Sequence, residues 1–355
     1  MKTIVIGGTF DNQGGHKSKI IANMFADLEN IYVVNGGHYE DLVRIYKTLG
    51  NFDAICWFAN VSNDMPKELR NIKSLYPDKI VIHSKRNTDG QYKLSYIINH
   101  ALKLKSNLLL EFAKDTSTGR IKGRVLDPLA VVWCDFTEDF KHLAKAMLKR
   151  ASELTRFTRS KSVCLGPELE PPNITKFYDI IRKYAEIFHE MINPDKVVTR
   201  FLGNASFRCQ KGFPSFRAGG NIFVSRRNID KRFIGREGFV AVPLKHEPDC
   251  IFYFGENKPS VDTPVQVRLY NHFKNVNYMV HSHVYIKDAP FTSTPIPCGA
   301  LEEFEEITAL ADAAQANFCV NLIGHGSLIL SKTTDFLKTV EYYARPAPEI
   351  LRPPE

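Results

Sequence analysis

The chain has 355 residues and a mass of 40.4 kDa, with 44% hydrophobic, 24% charged and 11% aromatic residues. That composition excludes a disordered or collagen-like chain, and the length suits two domains. The formal charge is +8, and all of it sits at the front: residues 1–161 carry 25 Lys+Arg against 17 Asp+Glu, while 162–355 carry 22 of each. A local cationic excess favours an anionic partner there, such as a nucleotide or sugar phosphate, though a plain solvated basic surface explains it equally well. Interleaved basic and aromatic repeats are absent, so nucleic acid is not the expected partner.

In chain order, short apolar runs at 3–6, 31–34, 54–58, 79–82, 108–112 and 131–134 read as buried parallel strands. Amphipathic stretches at 17–28, 39–49, 67–76 and 93–104 separate them, and a helical pattern over 138–156 closes the unit. Such alternation predicts a doubly wound, Rossmann-like α/β domain over 1–161, with ligands beyond the carboxyl ends of its strands. Prolines and lost periodicity mark 162–173 as a linker. A second domain spans 174–345. It is expected to hold a helix at 174–192, strands at 199–208, 221–224, 238–242, 250–254, 278–283 and 318–323, and a helix at 334–343. Residues 346–355, rich in proline, read as an extended tail.

Seven cysteines at 56, 134, 164, 209, 250, 298 and 319 contain no Cys-x-x-Cys, so neither a disulfide framework nor a cysteine zinc site is expected. The opening apolar run is three residues, too short for a signal segment, and no stretch approaches the roughly 18 apolar residues of a membrane span. A cytoplasmic, reducing environment is the expectation.

Two sites stand out. Glycine doublets Gly7-Gly8 and Gly14-Gly15 follow the first strand, with Lys17 close behind. Glycines at a strand-to-helix turn admit a phosphate to backbone N–H groups, and Gly8, Gly14, Gly15 and Lys17 are the candidate phosphate or nucleotide ligands. His16 stands where a P-loop needs glycine, and the doublet spacing fails the dinucleotide fingerprint, so a tight turn explains the glycines as well. In the second domain, His281-Ser282-His283 lies on a predicted strand, where positions i and i+2 share a face and two imidazoles converge. His325, between Gly324 and Gly326, ends another predicted strand. Three histidines around one ion form a recognised catalytic metal arrangement.

These features carry a resemblance. Gly203-Asn204-Ala205-Ser206, then Ile222-Phe223-Val224-Ser225 with Ile229-Asp230-Lys231, resemble the two substrate loops of the class II aldolase/adducin family. Val261-Asp262-Thr263-Pro264, Leu269-Tyr270, Val280-His281-Ser282-His283, Ile296-Pro297-Cys298-Gly299 and Asn321-Leu322-Ile323-Gly324-His325-Gly326 resemble its metal-site stretches, in order. The resemblance covers about 174–344. It implies a central antiparallel sheet flanked by helices, a divalent metal (usually Zn2+) on His281, His283 and His325, and a homo-oligomer, typically a tetramer. The implied reaction makes or breaks a C–C bond of a sugar or sugar-phosphate-like substrate through a metal-stabilised enediolate. Substrate contacts are implied at Gly203, Asn204, Ser206 and Ser225.

Three departures from the family pattern matter. Asp262 stands where aldolases typically carry glutamate, which resembles the sugar-phosphate 4-epimerase branch and implies a fourth ligand or supporting carboxylate rather than a free base. A general base must then come from elsewhere, and Glu302 and Glu303 are the candidates; the alternative for that acidic run is an exposed first helical turn. Arg226-Arg227 replace the glycine-bearing turn after Ser225 and offer bidentate contacts to an anion, or simply face solvent. The short C-terminus leaves no tyrosine to assign as an acid. Epimerisation or dehydration on the same site, and a non-catalytic adducin-like scaffold, remain the competing readings.

Overall fold

The computed structural model describes residues 1–10, 19–48, 52–61, 72–76, 78–155, 161–192, 203–245, 247, 250–296 and 298–343. The chain divides into two units, Met1–Thr155 and Arg156–Glu355.

The first unit runs β1 (Thr3–Phe10), α1 (Lys19–Phe25), β2 (Ile31–Gly37), α2 (Tyr39–Thr48), β3 (Ala54–Trp57), β4 (Asn60–Val61), α3 (Ile72–Leu75), β5 (Ile80–Thr88), α4 (Leu94–Lys103), β6 (Leu108–Lys114), β7 (Ile121–Leu126), β8 (Val132–Thr137) and α5 (Phe140–Leu154). Its sheet has the order β2-β1-β3-β5-β6-β7-β8, with β4 against the end of β1. The strands from β2 through β6 are parallel. Both faces are covered. Val5, Cys56, Ile82 and Leu110 pack under α1 and α5, while Ile4, Ile6, Ile55 and Val81 pack under α2 and α3. This is why the strands read as unbroken apolar runs rather than alternating ones.

One expectation fails at the far edge. The 131–134 run was expected to be a parallel strand, but β7, which the sequence did not reveal, and β8 are both antiparallel. Only residues 115–120 separate β6 from β7, too few for the crossover a parallel neighbour requires. The Asp115 carboxylate caps this turn by accepting from the amides of Ser117 and Thr118.

The second unit contains β9 (Lys161–Cys164), α6 (Thr175–Ile192), β10 (Asn204–Arg208), β11 (Asn221–Ser225), β12 (Phe239–Pro243), β13 (Cys250–Tyr253), α7 (Thr263–His272), β14 (Tyr278–Ser282), α8 (Glu302–Thr308), β15 (Phe318–Leu322), β16 (Gly326–Ser331) and α9 (Thr334–Leu337). Six strands form an antiparallel sheet in the order β12-β11-β10-β14-β16-β15. Residues 162–164 of the expected linker are strand, because β9 pairs with β13. That pairing also keeps β13 out of the main sheet. The expected helix over 334–343 is cut to Thr334–Leu337, and the 346–355 tail lies outside the described residues. Among the described residues, no helix is long and apolar enough to cross a membrane.

Alternation along β14 positions the candidate site. Val280 packs with Phe207, Ile329 and the α6 residues Phe177 and Ile181; Met279 packs on the other face with Leu269 and Tyr270 of α7 and with Phe273 just after it. By period two, His281 shares the α7 face with Met279. Asn204 pairs with His281 across the strands and so meets it there.

Candidate metal centre

Three elements deliver the histidines. His281 is the penultimate residue of β14, His283 follows the strand directly, and His325 sits in the tight β15–β16 turn. Two glycines make this approach possible. Gly326 has φ +129°, and a Cβ on it would lie 1.9 Å from the Ser282 carbonyl oxygen. Gly203 has φ +78°, and its Cβ would meet the His281 carbonyl at 2.6 Å. Any side chain at either place would push a neighbouring strand away from β14.

The ring centroids are 5.0 Å (His281–His283), 4.5 Å (His281–His325) and 5.3 Å (His283–His325) apart. One ligand nitrogen from each lies within 4.8 Å of the others. Asp262, which opens α7, approaches from the side, 3.9 Å from His281 Nε2 and 3.9 Å from His325 Nε2. Asp262, Cys298 and His325 form a second group with metal-ligand spacing.

The supporting bonds orient the rings. His281 Nδ1 meets the Ser327 carbonyl at 2.9 Å; a carbonyl only accepts, so Nδ1 carries the proton and Nε2 presents its lone pair. That Nε2 is buried and has no hydrogen-bond partner among the described residues. His325 Nδ1 lies 2.6 Å from Glu303 Oε1, which turns its Nε2 towards Asp262 in the same way. Burial, reinforced by neighbouring His325, pulls the His281 pKa down to about 4, so the imidazole is neutral at neutral pH. A neutral ring with an orphaned lone pair beside a carboxylate is what a divalent cation requires.

Asp262 is held firmly. Its carboxylate accepts from Asn204 Nδ2 at 2.6 Å, Cys298 Sγ at 2.7 Å and Ser260 Oγ at 3.3 Å. Burial would raise its pKa, but His281, His325 and these hydrogen bonds outweigh it and keep the group below the ordinary carboxylate range. Gln266 Nε2 in turn donates to Asn204 Oδ1, which fixes the amide.

The other expected residues divide. Glu303 is buried against His325, and burial raises its carboxyl pKa; Glu302 is exposed on the helix surface. In this geometry Glu303 orients the His325 ring. Ser206 and Ser225 are completely buried, their hydroxyls engaged with Tyr270 and with the Ala205 amide. Arg226 pairs with Glu168 at 2.9 Å, and Arg227 Nε donates to the Pro259 carbonyl. Arg227 lies within electrostatic reach of Asp262 and Cys298. In the first unit, Gly8 lies within β1, not in a turn after it, with φ +78° where the pairing with β2 shifts register, while Gly14, Gly15 and Lys17 lie outside the described residues.

The sequence left two participants without roles. Cys298 was legible only as part of a Pro-Cys-Gly turn, yet its thiol donates to Asp262. Lys231 is buried with a pKa pulled down to about 8 by burial, against the opposing pull of Asp230 and Asp262. Its only signal was its place in the Ile229-Asp230-Lys231 stretch.

The Glu303 bond makes a prediction. Glu303→Ala should lower metal affinity by roughly 10–100-fold, the usual effect of losing a ligand's supporting partner. Glu303→Gln, which keeps an accepting oxygen, should lose much less. Competition against a chelating dye reads both, and equal affinity in all three proteins would remove the positioning role.

A buried cluster of imidazoles backed by a carboxylate, on the end of an antiparallel sheet, defines a candidate divalent-metal domain. Residues 182–286 match the family described as Class II Aldolase and Adducin N-terminal domain, the family that the motifs resemble. Among solved structures, L-fuculose-1-phosphate aldolase from Thermus thermophilus is 16% identical, with 46% of this chain and 90% of that one covered at a TM-score of 0.30. The N-terminal class II aldolase domain of a conserved protein from Thermoplasma acidophilum is 16% identical, covering 48% and 90%, with a TM-score of 0.31. A DNA/pantothenate metabolism flavoprotein from Streptococcus pneumoniae is 11% identical, covering 42% and 97%, with a TM-score of 0.30. No curated protein matches the chain.

Proposed function

We propose that the second unit is a zinc-dependent lyase of the aldol/retro-aldol class, acting on a sugar or sugar-phosphate-like substrate. The observation that carries this reading is the convergence of His281, His283 and His325 beside Asp262, with the buried His281 Nε2 making no hydrogen bond among the described residues. The three histidines would hold the ion, with Asp262 as fourth ligand or immediate support. A bound divalent ion supplies Lewis-acid polarisation of adjacent carbonyl and hydroxyl oxygens. The chain itself fixes the imidazole tautomers through Ser327 and Glu303 and holds Asp262 ionised through Asn204, Cys298 and Ser260. Arg227 is the group placed to attract a substrate anion towards the centre. A homo-oligomer in the cytoplasm completes the reading.

Metal-loaded full-length protein, offered a panel of ketose phosphates, should release a free carbonyl fragment detectable by a coupled assay. Stereochemical inversion without fragment release would support 4-epimerisation, the reading that Asp262 in place of glutamate favours. Neither outcome across the panel would leave the scaffold reading standing. Asp262→Asn should lower metal affinity by roughly 10–100-fold together with turnover. Full metal retention with turnover lost would make Asp262 the base instead.

A further inference from the structure

The first unit contains a cavity of about 390 Å³ at the carboxyl ends of β1, β3, β5 and β6, remote in sequence from the histidine cluster. Gly8, Phe58, Asn60, Arg86, Phe112 and Lys114 are among its lining residues. From β1 the chain passes to β2 on one side and to β3 on the other, so the cavity opens where the strand order reverses. In open α/β sheets such a crevice is where ligands bind, and this volume is that of a small-molecule site.

Its lining has two characters. Phe58 and Phe112 belong to the apolar cluster under α1 and α5 and give the cavity a flat hydrophobic wall. Arg86 pairs with Phe112 across the parallel strands, and Lys114 lies two residues beyond it, so all three side chains share one face. Arg86 and Lys114 are exposed, and neither forms an ion pair among the described residues. Two exposed cations beside an apolar wall, Lys114 with the Asp89 carboxylate in electrostatic reach and Asn60 in the lining, suit a ligand that joins a dianion to a planar ring. The +8 charge of residues 1–161 adds long-range attraction of the same sign.

We propose that this cavity binds a nucleoside monophosphate, with the phosphate on Arg86 and Lys114 and the base against Phe112. This goes beyond the reaction proposed for the second unit and does not depend on it.

Calorimetric titration of the full chain with AMP, GMP, CMP and UMP tests it, each compared with its nucleoside and with inorganic phosphate. At least one monophosphate should saturate at one per chain and bind more tightly than its nucleoside or phosphate alone. Arg86→Ala and Lys114→Ala, at exposed positions that leave the fold intact, should each weaken it by roughly tenfold or more, as expected for a charge-assisted contact. The proposal fails if no monophosphate saturates, if all anions bind alike and are lost with salt, or if both variants bind as the wild type does.

Discussion

His281→Ala should purify almost free of metal, while the wild-type chain carries one ion. Removing a direct ligand should weaken binding beyond the roughly 10–100-fold typical of supporting groups, and elemental analysis after extensive dialysis measures it. His83 supplies the control. It is equally buried, it bonds Ser106 at 2.7 Å, and its Nε2 likewise has no hydrogen-bond partner among the described residues. Its charged neighbour, however, is Lys73, which repels a cation. His83→Gln should therefore leave the metal content unchanged. Equal metal in His281→Ala and wild type would sink the assignment. The metal-free protein adds a pH signature. His281 titrates at about 4 when folded against 6.5 unfolded, because burial disfavours its charged form. The unfolded chain thus binds the proton first, and stability falls as pH drops from 6.5 towards 4. The loss from this residue is on the order of 3 kcal/mol, and His281→Ala should remove that share while the same-sign slopes of buried His83 and His100 remain.

The histidine pair was legible because strand periodicity is a local rule, and His281 and His283 needed only that rule to converge. The pairing of Glu303 with His325 was not legible in the same way. The two lie 22 residues apart, and an acidic run opening a helix looks the same whether it faces solvent or a buried imidazole. Only the packing of α8 beside the β15–β16 turn selects Glu303 over Glu302. Ser206 and Ser225 show the converse: matching a family loop told nothing of how deeply Tyr270 and the β10 backbone would bury them.

In the first unit, the parallel strands were legible from their apolar runs, since a sheet covered on both faces leaves no polar alternation. The switch to antiparallel at β7 was hidden because Lys122 and Arg124 interrupt the apolar pattern. Arg124 is nonetheless buried, since it pairs with Glu111 on the neighbouring strand at 2.7 Å. A buried cross-strand ion pair has no one-dimensional signature. The cavity residues Arg86 and Lys114 were missed for a related reason: they belong to two strands, and only the register brings them to one face.

Gly326→Ala should be the most damaging single change in the second unit outside its apolar core. The residue sits at φ +129°, a region that side-chain-bearing residues rarely adopt, and its new Cβ would meet the Ser282 oxygen at 1.9 Å and His283 Cα at 2.8 Å. Both obstacles are backbone atoms, so no rotamer change relieves them. Backbone strain of about 1–3 kcal/mol and overpacking of about 1–3 kcal/mol together imply a loss of roughly 2–6 kcal/mol. Gly212→Ala separates the two causes. Gly212 also has a positive φ, +98°, but an added Cβ there meets nothing within 4 Å. It should show the strain alone. Thermal unfolding should place Gly212→Ala a few degrees below wild type and Gly326→Ala well below that. Any relief of the clash must move β16 away from β14, which carries His325 away from His281. Gly326→Ala should therefore lose metal affinity even at temperatures where it remains folded, whereas Gly212→Ala should keep it. Equal stability and equal metal binding in the two variants would mean that the close approach at Gly326 does not hold the histidines together.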